Sequence, residues 1–177
     1  MSDQYIYPGK ELHLFEEARN WKTYFGEKIS RFIKGDVLEV GAGIGETTSH
    51  LMNARCNHWT CLEPDPNLAE QLKTKKELGK FIIPVDILNG SLSKISTEKK
   101  FDTIRYIDVL EDIEKDKEEF SSAVSHLKEN GHLIVLSPAF NSLYSHFDQS
   151  IGHFRRYTKG SLREVARQPD IEEKKMF

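Results

Sequence analysis

The stretch "VLEVGAGIGETTSHL", residues 37–51, sets three glycines between a short apolar run and a helical pattern. A strand turning into a helix over glycines lets a ligand approach the backbone closely. Three ligand classes compete for such a turn: a dinucleotide, a nucleoside triphosphate, and a ligand without phosphates. The flanking sequence supplies the frame. Upstream, Leu12, Phe15, Ala18, Trp21, Phe25, Ile29 and Phe32 recur in steps of three and four. That period predicts an amphipathic helix over residues 11–33, or two helices broken near Gly26. Downstream, "HWTCLEP" reads as a second strand, "NLAEQLKTKKEL" as a helix stopped by Gly79, and "KFIIPVD" as a third strand. A polar loop with one helical turn follows. "KFDTIRYIDVL" is a fourth strand, "FSSAVSHLKEN" the end of a helix stopped by Gly131, and "HLIVLSPA" a fifth strand. "DIEEKKMF" reads as a sixth. Strands alternating with helices at this spacing predict an α/β fold with a parallel sheet covered on both faces.

Bulk properties narrow the classes. A chain of 177 residues has room for one domain with a real core and little for two. A formal charge of −3 gives no general attraction to nucleic acid. No apolar run approaches a membrane span, and "MSDQYIYPGK" lacks a signal-peptide core. Cys56 and Cys61 are too close for a disulfide framework and fit no metal-ligand spacing. They read as reduced core thiols of a cytoplasmic protein, and no metal is expected.

The glycine spacing then discriminates between ligands. In a doubly wound sheet the ligand lies beyond the carboxyl ends of the strands, where Gly41, Gly43 and Gly45 are expected. The dinucleotide fingerprint needs its third glycine at position 46, which is Glu46. A diphosphate at that helix N-terminus would meet the carboxylates of Glu46 and Glu39. No phosphate-loop motif is present either. E-x-G-x-G-x-G suits a cationic nucleoside without phosphates, and S-adenosylmethionine is one. Glu63 stands about twenty residues past the glycines, the offset of an acid that grips ribose hydroxyls. Asp86 and Asp108 are expected at the ends of the third and fourth strands. Each acid alone is also an ordinary helix cap. The four together, with the glycines, read as a site.

On these residues the chain resembles the class I S-adenosylmethionine-dependent methyltransferases. "VLEVGAGIGETT" looks like their glycine motif, "CLEPD" like the acidic end of the second strand, and "VDIL" like the adenine-contacting turn. "FDTIRYIDVLEDIE" and "LKENGHLIVLSPA" resemble the fourth- and fifth-strand motifs. The resemblance implies a Rossmann-like, doubly wound, mostly parallel sheet, and S-adenosylmethionine as cofactor with S-adenosylhomocysteine as product. It implies that Gly41, Gly43 and Gly45 lie against the cofactor, with Glu39 just before them. Glu63 would bind the ribose with Pro64 beside it, Asp86 and the backbone of Ile87 the adenine, and Asp108 the methionine ammonium. Relatives often read Leu-Glu-His after the fourth strand; here Asp112 follows Leu110 and Glu111.

"SPAFNSLYSHFDQSIGHFRRYTKGSLREVA" is similar to a subgroup with a Gly-His-aromatic-Arg-Arg-Tyr segment, which implies an acceptor pocket or lid over the transferred methyl. Tyr144, Asp148, Arg155 and Arg156 are its candidate substrate contacts. His153, His146 and Tyr157 are its candidate bases. An equally ordinary reading has the arginines bracing a loop through Asp148 and Tyr157 in the core.

The division expected is one domain over residues 1–177: an N-terminal helical segment (1–35), a cofactor core (36–140), and an acceptor-side loop, helix and last strand (141–177). Relatives carry a seventh strand, and this chain reaches Phe177 without one. That predicts an open sheet edge: either this is a truncated product or domain, or another chain supplies the pairing, with homo-oligomerisation or poor solubility as the consequence. The leading function is methyl transfer to a small-molecule acceptor, with no nucleic acid or membrane partner. The alternative is a non-catalytic, S-adenosylmethionine-binding partner subunit. A nicotinamide-dependent oxidoreductase is disfavoured by Glu46.

Overall fold

The computed structural model describes residues 5–9, 12 and 17–177. Among these, α1 (Arg19–Ile29) leads through a short 3-10 turn (Ser30–Phe32) into β1 (Gly35–Val40). α2 (Glu46–Leu51), β2 (Cys56–Glu63), α3 (Pro66–Glu77) and β3 (Val85–Asn89) follow. Then come β4 (Phe101–Ile107), α4 (Asp116–Ser125) and β5 (Leu127–Leu136). α5 (His146–Ser150) and α6 (Lys159–Val165) are the last helices. All strand pairs are parallel, in the order β3-β2-β1-β4-β5. The chain runs outward from β1 to one edge, returns, and runs to the other, so the crevice lies between β1 and β4.

Side chains alternate across the strands, and each face finds its own cover. Val37, Trp59 and Cys61 pack against Phe25 and Ile29 of α1, Leu51 of α2 and Leu72 of α3. On the other face Leu38, Val40, Leu62, Ile104 and Tyr106 meet Phe120 and Ala123 of α4 and Val165 of α6. The central strand is buried on both sides, which is why "VLEV" does not alternate apolar with polar. Each large side chain buried there is worth about 1.5–3 kcal/mol.

Several expectations shift. α1 continues through Gly26, where an added Cβ would lie 3.2 Å from Leu51 Cδ2; the glycine lets α1 close on α2. Phe15, in the expected apolar stripe, lies outside the described residues. The third strand is Val85–Asn89 rather than residues 80–86, because Pro84 has no N–H to donate and contributes only its carbonyl, to Trp59 N–H at 3.0 Å. α4 ends at Ser125, not at Gly131. His126 N–H caps it on Ala123 O, and Asn130 turns with φ 60°. The register then skips from Phe101↔Leu127 to Thr103↔His132, which places an irregularity within β5. Residues 170–177 form no sixth strand. Their run of Glu172, Glu173, Lys174 and Lys175 offers no apolar face, and Arg163 of α6 holds Glu173 at 2.7 Å instead.

Candidate functional site

The carboxyl edge of the sheet gathers the glycine turn and its acids. Gly41 and Gly45 have φ of 68° and 79°. A side chain on Gly41 would meet Val109 Cγ2 at 2.5 Å, and one on Gly45 would meet Leu72 Cδ2 at 2.5 Å. Glycine is required there by backbone conformation and by close packing alike. Gly41 and Ala42 donate to Leu62 O at 2.9 and 3.0 Å, which ties the turn to the end of β2.

Glu63 sits beneath that turn with 4% of its surface exposed. Its carboxylate accepts from Gly43 N–H at 2.7 Å and Asp65 N–H at 2.9 Å. Burial raises its pKa to about 7, against the lowering effect of those two N–H groups. Asp65, next but one, caps α3 by accepting from Asn67 N–H at 2.7 Å, and its other oxygen accepts from Tyr7 N–H at 2.7 Å. Pro64 lies between them, and its carbonyl accepts from the Asn89 side chain at 3.0 Å. Asp108 follows β4 with φ 52° and donates its N–H to Leu136 O at 2.8 Å. It is solvent-accessible but recessed, and desolvation raises its carboxyl to about 6.

Two expected acids are elsewhere. Glu39 is the last but one residue of β1, but its side chain does not face the crevice. It points into the layer under α2, accepting from Thr48 Oγ1 and Trp59 Nε1, each at 2.7 Å, and pairing with the buried guanidinium of Arg105. Asp86 is the second residue of β3, in register with Thr60, and its carboxylate lies 3.3 Å from His58 Nε2. Ile87 follows it within the strand. The end of β3 is instead Asn89, followed by Gly90, whose N–H donates to Glu63 O at 3.0 Å, and by Ser91. Glu46 opens α2 ion-paired with Lys75, so part of its charge is offset. The case against a diphosphate therefore rests on the glycine spacing more than on Glu46.

The segment after β5 is braced by its own ions. Arg156 donates from Nε to Asp148 Oδ1 at 2.7 Å and from Nη2 to Oδ2 at 3.0 Å. Arg155 meets Asp116 at 2.6 Å and Glu114 O at 2.8 Å. Tyr157 is buried; its hydroxyl donates to Asp116 at 2.8 Å, and burial with that carboxylate raises its pKa. His153 stands between Asp148 at 3.2 Å and Asp112 at 3.5 Å. Tyr144 Oη donates to His153 O at 2.6 Å. His146 is exposed at the start of α5. Arg155, Arg156 and Tyr157 therefore adopt the bracing geometry, while His153 lies between two acids, Asp148 and Asp112.

Sequence reasoning missed two features. One is the N-terminal strap. Besides the Tyr7–Asp65 bond, Pro8 lies 3.3 Å from the Cβ position of Gly152, and Leu12 lies 4.0 Å from that of Gly43. Burial, then the charges of Asp112, Glu63 and Asp65, raise the Tyr5 phenol to about 12. The other is Glu111, wholly buried beside Asp108. Contacts between distant segments create both, and no local spacing announces them.

A family model described as "Methyltransferase domain" matches residues 11–170. No curated protein matches the chain. Among solved structures, the N-methyltransferase NodS from Bradyrhizobium japonicum, in complex with S-adenosylhomocysteine, is similar with a TM-score of 0.69 at 17% identity; the match covers 89% of this chain and 79% of NodS. A putative methyltransferase from Haloferax volcanii, in complex with the Trm112 activator, gives 0.70 at 15% identity over 90% of this chain and 72% of that one. An S-adenosylmethionine-dependent methyltransferase from Clostridium acetobutylicum gives 0.59 at 20% identity over 76% of this chain. The match spans only 58% of the Clostridium protein.

Proposed function

The chain belongs to the methyltransferase domain family, and from that premise we propose that it transfers a methyl group from S-adenosylmethionine to a small-molecule acceptor. The observation that carries this reading is Glu63, a desolvated carboxylate held under the glycine turn by Gly43 N–H. Its oxygens keep lone pairs for a ribose diol. The residues present fit the cofactor. Gly41, Gly43 and Gly45 would lie along its methionine and ribose, and Asp108 near its ammonium. Asn89 and Ser91, at the true end of β3, take over the adenine side from Asp86 and Ile87. When bound, the cofactor supplies a methyl on a good leaving group. The protein's task is then alignment and exclusion of water.

The N-terminal segment, tied to the crevice rim by Tyr7 N–H on Asp65, supports such exclusion. Where an acceptor must lose a proton, His153 is the candidate base, with Asp148 and Asp112 orienting its ring. Tyr144 lies beside His153, its hydroxyl donating to His153 O. Arg155, Arg156 and Asp148 brace this segment rather than bind the acceptor, and Tyr157 is held in the same brace by Asp116. We read residues 1–177 as one methyltransferase-like domain in the divisions given above. No described helix is long and apolar enough to cross a membrane. The buried free thiols of Cys56 and Cys61 favour a reducing, cytoplasmic setting.

Calorimetric titration with S-adenosylhomocysteine tests the reading. Wild type should bind, and Glu63→Ala should weaken binding on the order of 100-fold by losing two charge-assisted hydrogen bonds. A folded wild-type chain that does not bind would overturn it, and the partner-subunit reading would then lead.

A further inference from the structure

Residues 139–154, "AFNSLYSHFDQSIGHF", hold one acid, Asp148, and no lysine or arginine, in a chain of which 30% is charged. They form a closed excursion after β5. Its neck is the Ala139–Tyr157 bridge, with Phe140 N–H on Tyr157 O at 2.8 Å and Tyr157 N–H on Pro138 O at 2.9 Å. Across its middle, Tyr144 Oη reaches His153 O. The packing is inverted. Asp148, 1% exposed, sits inside and accepts from Ser145 N–H, Ser145 Oγ and Arg156, with His153 Nδ1 at 3.2 Å. Phe140, Leu143, Phe147 and Phe154 lie outside, each more than half exposed, and Tyr144 is 36% exposed. Ile151 is the one large apolar side chain of the excursion that is buried. Polar inside and apolar outside is the reverse of what water favours, and a cluster of exposed large apolar side chains marks a contact surface. Phe140 adds strain: its φ of 63° is a conformation that glycine adopts freely and an aromatic residue does not.

Charge and area choose the occupant. The arginines that follow are turned to acids, Arg156 to Asp148 and Arg155 to Asp116. An anionic lipid surface therefore finds no lysine or arginine within residues 139–154 to attract it. A surface with exposed charges of one sign repels its own copy, and this one meets its copy without that penalty. Surface rich in aromatic residues and poor in charge is also the composition of a protein interface core. Five side chains of this size, about half exposed, leave on the order of 500 Å² of apolar surface. Two copies face to face then bury about 1,000 Å², the lower limit for a specific interface. A groove of about 330 Å³ lined by Tyr144, Ser145, His146 and Gln149 gives room for a side chain from the other copy.

We propose that a second copy of this chain docks on the outer surface of residues 140–154, forming a twofold dimer through Phe140, Leu143, Phe147 and Phe154. Twofold symmetry lets each copy use the same patch, so the contact closes on itself. An area at the lower limit sets a weak dimer, with a dissociation constant on the order of 10 μM. The same segment holds His153 between Asp148 and Asp112, so the second copy would back the segment on which the candidate base stands.

The test is sedimentation equilibrium of the whole chain across that concentration, joined to hydroxyl-radical footprinting read by mass spectrometry. Wild type should pass from monomer to dimer, and oxidation of Phe147 and Phe154 should fall as it does. Leu143→Asp with Phe147→Asp, which sets like charges against each other, should weaken association by about 100-fold or more. Leu143→Ala with Phe147→Ala, which adds no charge, should weaken it by about tenfold. Both pairs of residues are exposed, so the wild-type circular dichroism should be kept. A wild-type monomer at every concentration would overturn the proposal, as would a dimer that both variants keep. A dimer that protects the amides of residues 133–136 from hydrogen exchange, with Phe147 and Phe154 still oxidised, would belong to the β5 edge and overturn it too. A monomer that floats with phosphatidylcholine vesicles, and ceases to in the Asp variant, would give the patch to a lipid surface instead.

Discussion

Glu63 and Glu111 are both buried acids: two well-formed backbone N–H bonds hold the first, while burial and the neighbouring Asp108 dominate at the second. Both are acids whose pKa rises on folding, from 4.5 to about 7 and about 9. The folded chain therefore holds their protons more tightly than the unfolded chain does. Their stabilising effect is fullest below about pH 4.5 and is lost as pH climbs through 7 for Glu63 and toward 9 for Glu111. Urea melts of Glu111→Gln and wild type should nearly coincide in midpoint trend at pH 5. By pH 8.5 the variant should gain, at no more than about 1.4 kcal/mol per pH unit. A gap that does not widen would mean that Glu111 is ionised in the folded chain. At this scale the sequence is legible where chemistry repeats at a fixed offset, as Glu63 does from the glycines. Glu111 is one acid in a charged run, and only Phe154, far along the chain, closes over its backbone.

β1, β2 and β4 are joined by a buried polar cluster as well as by their ladders. Glu39, Trp59 and Arg105 stand on the same face of three adjacent strands, and Thr48 of α2 closes over them. The Arg105 guanidinium also lies 5.0 Å from the Trp59 ring. Removing one partner leaves the other charge buried, so Arg105→Ala should cost about 3–5 kcal/mol in denaturant unfolding. A loss near zero would show that water or a shift of Glu39 compensates. Elements were readable from period and punctuation: the glycine turn after β1 and Gly79 after α3 both marked real boundaries. The errors fell where two signals compete. "FIIPVD" has strand composition, but Pro84 removes a donor in its middle and the ladder starts just after it. "SHLKEN" continues a helical pattern, yet the pairing of Leu127 with Phe101 ends the helix early. Glu39 reads as a strand-end acid only until β1 is paired on both sides, which buries it in the sheet's face.

At the scale of the whole molecule the sheet ends on β5, which pairs with β4 alone among the described residues. Lys128 and Glu129 blunt its first half with charge, whereas Leu133, Ile134, Val135 and Leu136 leave the second half apolar. An edge of that kind is a template for another strand. Sedimentation over rising concentration should show a monomer–dimer equilibrium; a monomer at every concentration would set edge pairing aside. Doubly wound topology was legible because strands and helices alternate along most of the chain, a polar loop with a 3-10 turn alone joining β3 to β4. The strap across the crevice was not, since no period links Tyr5 and Tyr7 to Asp65. The two tryptophans divide the molecule as well. Trp59 is wholly enclosed and bonded to Glu39, while Trp21 on α1 is 45% exposed beside Tyr24. Intrinsic fluorescence therefore carries two reporters at different depths. Acrylamide should quench Trp21 and spare Trp59, so loss of the protected component would time the opening of the sheet itself, separately from any loosening of the first helix.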